Sequence, residues 1–564
     1  ADRTRAGPLV KRRAFLGAAA ATIAACAAPA PEPSRIAKIL ASLSLDQRAG
    51  QTMAVAFHGS SVTSAVEEMI RSRGLGGVVL RAENAPNATA LRLVCADLQR
   101  IASEAKIPPL FLALDQEGGS VIRVGSGMTV FTSQMGLAAT PDPVAAVQRV
   151  ATITAAELRA NGVNWNFAPV ADVNNEPLNP IIGNRSFGSD PQRVSTLVAA
   201  AARAYAASGI LCCAKHFPGH GAATVDSHVG LPLIDVDRAR LDRVELPPFR
   251  AAIAAGVPAI MLAHLIVPAL DPTPSLPASL SRRVVTDLLR RELGFAGIVL
   301  TDDLEMGALA SIGEAAAGER ALEAGADFVL FRFDEAAQRD GHRLIKVAIQ
   351  NGSLPNLDAT LSRLLDAKLR YGILDQSSAP QPDLVANAAA ALDIARGSIT
   401  LLHNDGKALP LRGRVYAIAT TNADLTPLPG DSDLVTELAR ARPDVEVRRF
   451  GTTISDTVIT NVLGEAKSSD VVVVGVADVG INDDQLKLVT RLAAAKPTVL
   501  VSLRGPYDVR FAPSVAACVC AYDGRVPTLQ AVVELLTGAR KPVGSLPVAV
   551  SDRFPIGAGM RDFS

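Results

Sequence analysis

Eight short apolar runs set the strongest constraint on how this chain can fold. They lie at Met53 to Phe57, Gly77 to Leu80, Leu110 to Leu114, Trp165 to Pro169, Ile210 to Ala214, Ala259 to Leu262, Ile298 to Leu300 and Phe328 to Phe331. Between them, stretches such as Pro143 to Asn161 and Pro191 to Ser208 repeat apolar residues at helical spacing. Alternating β and α units imply a mainly parallel sheet, and eight of them predict an α/β fold of the (β/α)8, TIM-like barrel type. A doubly wound open sheet is the alternative. Both topologies bring ligands to the C-terminal strand ends. Here several runs end in groups able to do chemistry: Asp115, Asp172, Lys215-His216, His264 and Asp302-Asp303.

The barrel is expected over 32–374. Asp375 to Pro382 carries two prolines and reads as a linker, extended to 375–390, before a smaller α/β sandwich domain over 391–564. In that second part Val415 to Ala419, Val471 to Val476, Thr498 to Ser502 and Val515 to Cys520 read as buried strands. Residues 1–31 are set apart as an export signal. Lys11-Arg12-Arg13 precedes an apolar run beginning at Phe15, as in a twin-arginine leader, and Ile23-Ala24-Ala25-Cys26 resembles a lipoprotein box that leaves Cys26 acylated. The run from Ala14 to Ala25 is about 12 residues against about 20 for a bilayer span. The expected address is therefore the cell envelope, with the membrane touched only through a lipid on Cys26. Cys95, Cys212, Cys213, Cys518 and Cys520 lack metal-ligand spacing and are expected in the core.

Composition narrows the function classes. Over 564 residues, 56 basic side chains cancel 56 acidic ones and aromatics make up 4%, which leaves neither a basic footprint nor a stacking surface for nucleic acid. The densest chemistry is Lys215-His216-Phe217-Pro218-Gly219-His220-Gly221 followed by Asp226-Ser227-His228, three of seven histidines within one short segment. His216 and His220 are four apart, but Pro218 and Gly219 interrupt any helix that would align them on a metal. Asp226 and His228, two apart, fall on one side of an extended segment. They can pair as a general acid/base, or the aspartate can simply hold a loop histidine. In Gly297 to Asp303 a buried strand runs into two acids. Asp303 suits capping of a helix over Leu304 to Ala310, which leaves Asp302 for chemistry, as nucleophile or ligand. Asp115, Arg123, Arg185, Lys215 and His216 offer fixed partners for a polyhydroxylated ligand, or a salt-bridged rim.

Together these segments resemble family 3 glycoside hydrolases, in particular the bacterial β-N-acetylglucosaminidase branch. Lys215 to Gly221 with Asp226-Ser227-His228 is similar to that branch's signature, and Thr301-Asp302-Asp303-Leu304 with Met306 to its nucleophile segment. Asp115 to Arg123 and Gly183 to Gly188 fit as well, and Ser398 to Gly406 is similar to the opening of the family's second domain. The resemblance implies that Asp302 forms a covalent glycosyl-enzyme and that His228, oriented by Asp226, is acid and then base, with retention of configuration. It further implies that Asp115, Arg123, Arg185, Lys215 and His216 hold a terminal N-acetylglucosamine, with no metal or organic cofactor. Ser120 departs from the arginine frequent in the branch, and Glu305 from the small residue before Met306.

The function expected from these residues is exo-cleavage of β-linked N-acetylglucosamine from wall-derived glycans or muropeptides. A β-glucosidase, β-xylosidase or phosphorylase of the same family is the nearest alternative. A glycan-binding envelope lipoprotein is the non-enzymatic one. The sequence leaves oligomeric state open.

Overall fold

A computed structural model describes residues 33–227, 230–376, 379–420, 428, 430–451 and 453–564. The leader with Cys26, and His228, lie outside the described residues.

The eight expected strands form: β1 Met53–Val55, β2 Gly77–Val79, β3 Phe111–Leu114, β4 Trp165–Asn166, β5 Leu211–Phe217, β6 Ala259–Leu262, β7 Ile298–Asp303 and β8 Phe328–Phe331. Each pairs in parallel with the next, and β8 pairs with β1 to close a barrel in sequence order. Alternate side chains fill the interior, where Trp165 stacks on Phe328 with ring centroids 5.9 Å apart and meets Phe111 edge-on at 5.0 Å. Truncating so large a buried ring costs about 3–5 kcal/mol. The other alternation packs outward onto the helices, which begin as their sequences dictate: Asp142 caps Pro143–Ala160 and Asp190 caps Pro191–Ala207, each with proline in the first turn.

One end of the barrel is plugged. The helix Leu357–Arg370 sends Leu357, Leu361 and Leu364 into the interior cluster. Its buried Lys368 lies over the Phe111 ring at 4.7 Å and donates to Gln51 Oε1 and the Gly76 carbonyl, just ahead of β1 and β2. Burial pushes the Lys368 ammonium down to about 7. With the N-terminal end sealed by an apolar helix, only the C-terminal mouth is left to take a polar ligand.

Two local expectations need correction. β7 runs on to Asp303, and Leu304 to Ala310 holds only a single 3-10 turn, Gly307–Leu309, so Asp303 caps no α-helix. Its Oδ1 instead accepts from the Glu305 N–H at 3.1 Å. The helix Leu384–Ser398 begins inside the stretch read as linker up to 390, because Ala390, Ala391 and Ile394 give it a buried face.

The second domain is a six-stranded sheet of β9 Thr400–His403, β10 Val415–Thr420, β11 Glu446–Phe450, β12 Val471–Val476, β13 Thr498–Ser502 and β14 Ala517–Cys520, in the order β11-β10-β12-β13-β14-β9. Only β9 is antiparallel to its neighbour. Val472 and Val474 belong to one core and Val471 and Val473 to another, so both faces are covered and the strand is apolar throughout. All five cysteines of the described residues are free and buried.

The two domains share polar ties as well as apolar ones. Met135 and Ala139, from the barrel's Gln134–Ala139 helix, sit in the core of the second domain. Asp523 accepts from Thr132 Oγ1 at 2.6 Å and the Ser133 N–H at 2.9 Å. Arg525, with no exposed side-chain surface, donates to the Gly119 carbonyl at 2.8 Å and pairs with Asp431 at 3.1 Å. Replacing Arg525 with alanine is expected to cost about 3 kcal/mol by stranding these acceptors and to split one calorimetric unfolding transition into two. A single transition at an unchanged midpoint would show that the arginine does not couple the domains.

Candidate active site

The mouth of the barrel holds a pocket of about 260 Å³ lined by residues from strand ends far apart in sequence. Asp115 follows β3, Lys215 and His216 end β5, Asp302 and Asp303 end β7, and Arg81 follows β2. Each is carried there by a strand whose register is fixed by buried apolar neighbours, so the polar tips converge without a loop having to place them.

At the base lies a lattice of ion pairs. Lys215 Nζ reaches Asp115 Oδ1 at 2.8 Å and Glu117 Oε1 at 2.7 Å. Arg185 grips Glu117 with two N–H donors, at 2.9 and 2.8 Å. Arg123 donates to Asp115 Oδ2 at 2.9 Å, and Arg81 stands 3.8 Å from the same oxygen. Burial alone would raise both carboxyls, but Lys215, Arg123 and Arg81 hold Asp115 well below the usual range, and Arg185 with Lys215 holds Glu117 at about 2. The same carboxylates raise Lys215 against its own burial.

A second network shapes the wall. Buried Asp172, beyond β4, accepts from His216 Nδ1 at 2.7 Å and from the His220 N–H at 2.6 Å, and His216 Nε2 lies 3.4 Å from Arg185 Nη2. The segment can fold back this tightly because Gly221 packs on the Val173 backbone, where a Cβ would come within 1.8 Å of the carbonyl oxygen. Burial pushes His220 down to about 4, so it is neutral near pH 7. Its Nε2 lies 3.0 Å from Ser227 Oγ.

Asp302 and Asp303 are neighbours in sequence with opposite electrostatics. Burial would raise Asp302, but His216, His264 and a 2.8 Å hydrogen bond from the Asp303 N–H hold it below the ordinary aspartate value. Burial pushes Asp303 up to about 6 although Arg332 stands 3.3 Å away. Asp302 is thus a carboxylate at neutral pH, in a pocket whose other inner acids are tied to cations.

Of the residues singled out from sequence, Asp115, Arg123, Arg185, Lys215, His216 and Asp302 line this one pocket. Asp226 is outside its lining but adjoins Ser227, which is in it, and the Ser227 carbonyl accepts from the Ala308 N–H at 3.2 Å, just past the Asp302 segment. His228 is outside the described residues. Sequence reasoning gave Glu117 no role, although its spacing of two from Asp115 along an extended segment was a usable signal. Arg81 carried no signal, and neither did Arg504, which enters the lining from the second domain.

The fold and site define a class: a two-domain, barrel-and-sandwich protein with a polar, ion-paired pocket at the barrel mouth. Residues 44–367 match the glycosyl hydrolase family 3 N-terminal domain and residues 399–554 its C-terminal domain. The chain belongs to that family and is a glycoside hydrolase. It is 30% identical over 550 residues to beta-hexosaminidase A of Pseudoalteromonas piscicida, covering 86% of this chain and 91% of that protein. A Pseudomonas aeruginosa beta-hexosaminidase is 35% identical over 280 residues, half of this chain and 81% of its own length. Among solved structures, a family 3 beta-N-acetylglucosaminidase from Paenibacillus superposes with a TM-score of 0.85 at 33% identity, covering 90% of this chain and 99% of that one.

Glu117→Gln tests the lattice. A carboxylate held at about 2 when folded and near its ordinary value when unfolded contributes stability that is fully present above about pH 4.3. That contribution is lost as pH falls toward the folded value. At pH 7 the variant is expected to be about 3 kcal/mol less stable in denaturant titration, with the gap closing as pH falls from 4 toward 2.

Proposed function

We propose that this protein is an exo-acting, retaining β-N-acetylglucosaminidase that removes terminal β-linked N-acetylglucosamine from wall-derived glycans or muropeptides. The observation that carries the reading is one ionised carboxylate, Asp302, in the same small pocket as the paired lattice of Asp115, Glu117, Lys215, Arg185 and Arg123. A pocket of about 260 Å³ has room for one terminal sugar ring rather than a chain passing through, which favours exo action. The lattice supplies donors and acceptors already oriented for hydroxyls stripped of water. The β-hexosaminidase relatives support N-acetylhexosamine over glucose.

In this reading Asp302 attacks the anomeric carbon as the bond to the leaving oxygen breaks, and His228 gives that oxygen its proton. Water then attacks the glycosyl-Asp302 ester, passing a proton back to His228 and regenerating the carboxylate. Asp226 is the partner that orients the imidazole. Support for this loop acting at Asp302 comes from Ser227, which lines the pocket and is tied to Ala308 and His220. A specific observation favours a second reading: Asp172 and His216 already form a carboxylate–imidazole pair at 2.7 Å facing the same pocket. His216 would then be the acid/base and the 226–228 loop a cover.

Asp302→Ala is expected to lower kcat by at least about 10⁴-fold while N-acetylglucosamine still binds. His228→Ala should damage substrates with poor leaving groups most and 4-nitrophenyl substrates least, whereas His216→Ala should chiefly raise KM. The reverse pattern between the two histidines selects the second reading. Faster cleavage of a glucoside than of an N-acetylglucosaminide overturns the substrate assignment. The same proposal sends the enzyme to the envelope on a lipid at Cys26. Cell fractionation should then find the full chain with membranes and Cys26→Ala released from them, and equal partition of both would refute the anchor.

A further inference from the structure

Among the described residues, the second domain reaches the pocket through one charged side chain. Arg504, two residues beyond β13, is in the lining beside Pro180, Ile181 and Ile182. Its Nη1 lies 2.6 Å from Asp478 Oδ2, its Nη2 donates to the Pro180 carbonyl at 3.1 Å, and the side chain is 19% exposed. Its contacts with Asp478 and Pro180 lie outside the Asp115–Glu117 lattice of the proposed sugar site. Arg504 is thus a side chain that the second domain donates to the wall of a pocket with room for one ring.

We propose that Arg504 recognises a carboxylate on the leaving-group side of the substrate, so that the second domain selects acidic glycans; the inference rests on the terminal N-acetylhexosamine reading of the pocket. Asp478 fixes the plane of the guanidinium, which lowers the ordering cost of a bidentate contact with a planar anion. Five N–H donors allow a guanidinium to serve an incoming carboxylate alongside its protein partners. Pro180, Ile181 and Ile182 line the pocket beside Arg504 and keep water partly away from it, and charge recognition is stronger there than in open water.

The test uses the full chain and one pair of substrates that differ only in charge. These are a β-1,4-linked disaccharide of N-acetylglucosamine on a sugar bearing a lactyl ether carboxylate, and its methyl ester. The native enzyme is expected to favour the acid by about tenfold in kcat/KM, Arg504→Gln to bring the ratio close to one, and Arg504→Lys to retain part of it. Because the readout is a ratio, a general loss of stability or turnover does not move it. A native ratio near one, a preference that survives in Arg504→Gln, or an equal loss on both substrates shows that Arg504 only ties the domains together, and overturns the proposal. Failure of the native enzyme on a chromogenic β-N-acetylglucosaminide as well would overturn the pocket reading itself, whereas cleavage of that probe without an acid preference overturns this inference alone.

Discussion

An ammonium with only 1% of its residue surface exposed can stay charged only if carboxylates are brought to it, and Lys215 is held between two. That requirement fixes more than one side chain. Asp115 and Glu117 leave β3, Lys215 ends β5, and Arg185 comes from the turn Gly183–Arg185, so satisfying one buried charge sets three segments at hydrogen-bonding distance. Uncompensated, any member would be a buried charge that water cannot reach. The lattice is therefore a device of geometry more than of stability, since hydrophobic replacements of such pairs are often no less stable. What it secures is a rigid polar floor to the pocket, with donors and acceptors already oriented.

The second domain acts on the same floor from behind. The Asp115–Arg123 segment is gripped at Gly119 by Arg525, and the Gly183–Arg185 turn is held by Asn184, which donates to the Tyr522 carbonyl at 2.7 Å and hydrogen-bonds Ser120. Ser120 is thus part of a short polar chain running from the β3 loop through Asn184 to the sandwich. Two segments that line the pocket are thus braced by the second domain, which also contributes Arg504 to the lining.

Much of this was legible in the residues alone because parallel strands buried on both faces cannot hide: each of the eight barrel runs became a strand, and of the polar residues at their ends Asp115, Lys215, His216, Asp302 and Asp303 line one pocket, while Asp172 and His264 stay outside its lining. β11 escaped because it is an edge strand whose residues other than Phe450 are exposed or half-buried, so it shows no buried apolar run. The helix expected over Leu304 to Ala310 failed for another reason. The sheet carries β7 through Asp303, and the chain then turns to meet Ser227 before Glu314 starts the next helix. Arg504 could not be found from local pattern, since its place in the pocket follows from how two domains pack. The histidine expected opposite Asp302 lies outside the described residues, so its role stands on Asp226, Ser227 and the resemblance.

The paired acids at the end of β7 give an electrostatic reason for a histidine as proton donor in the proposed mechanism. Four carboxylates already line the pocket: Asp115, Glu117, Asp302 and Asp303. Three are held below their ordinary values, and the fourth is pushed up to about 6 by burial, with Asp302 beside it adding to the rise. A further carboxylic acid placed near the leaving oxygen would be neutral before proton transfer and anionic after it, so every turnover would create a new negative charge among these. An imidazolium starts positive and ends neutral. Either donor gives up one unit of positive charge as Asp302 loses its negative one, so the net charge of the step is the same; the difference is that the imidazole is left neutral among these carboxylates, where a carboxylic acid would be left as a further anion. The lattice beneath is left undisturbed, which matters because its carboxylates and cations balance one another rather than water.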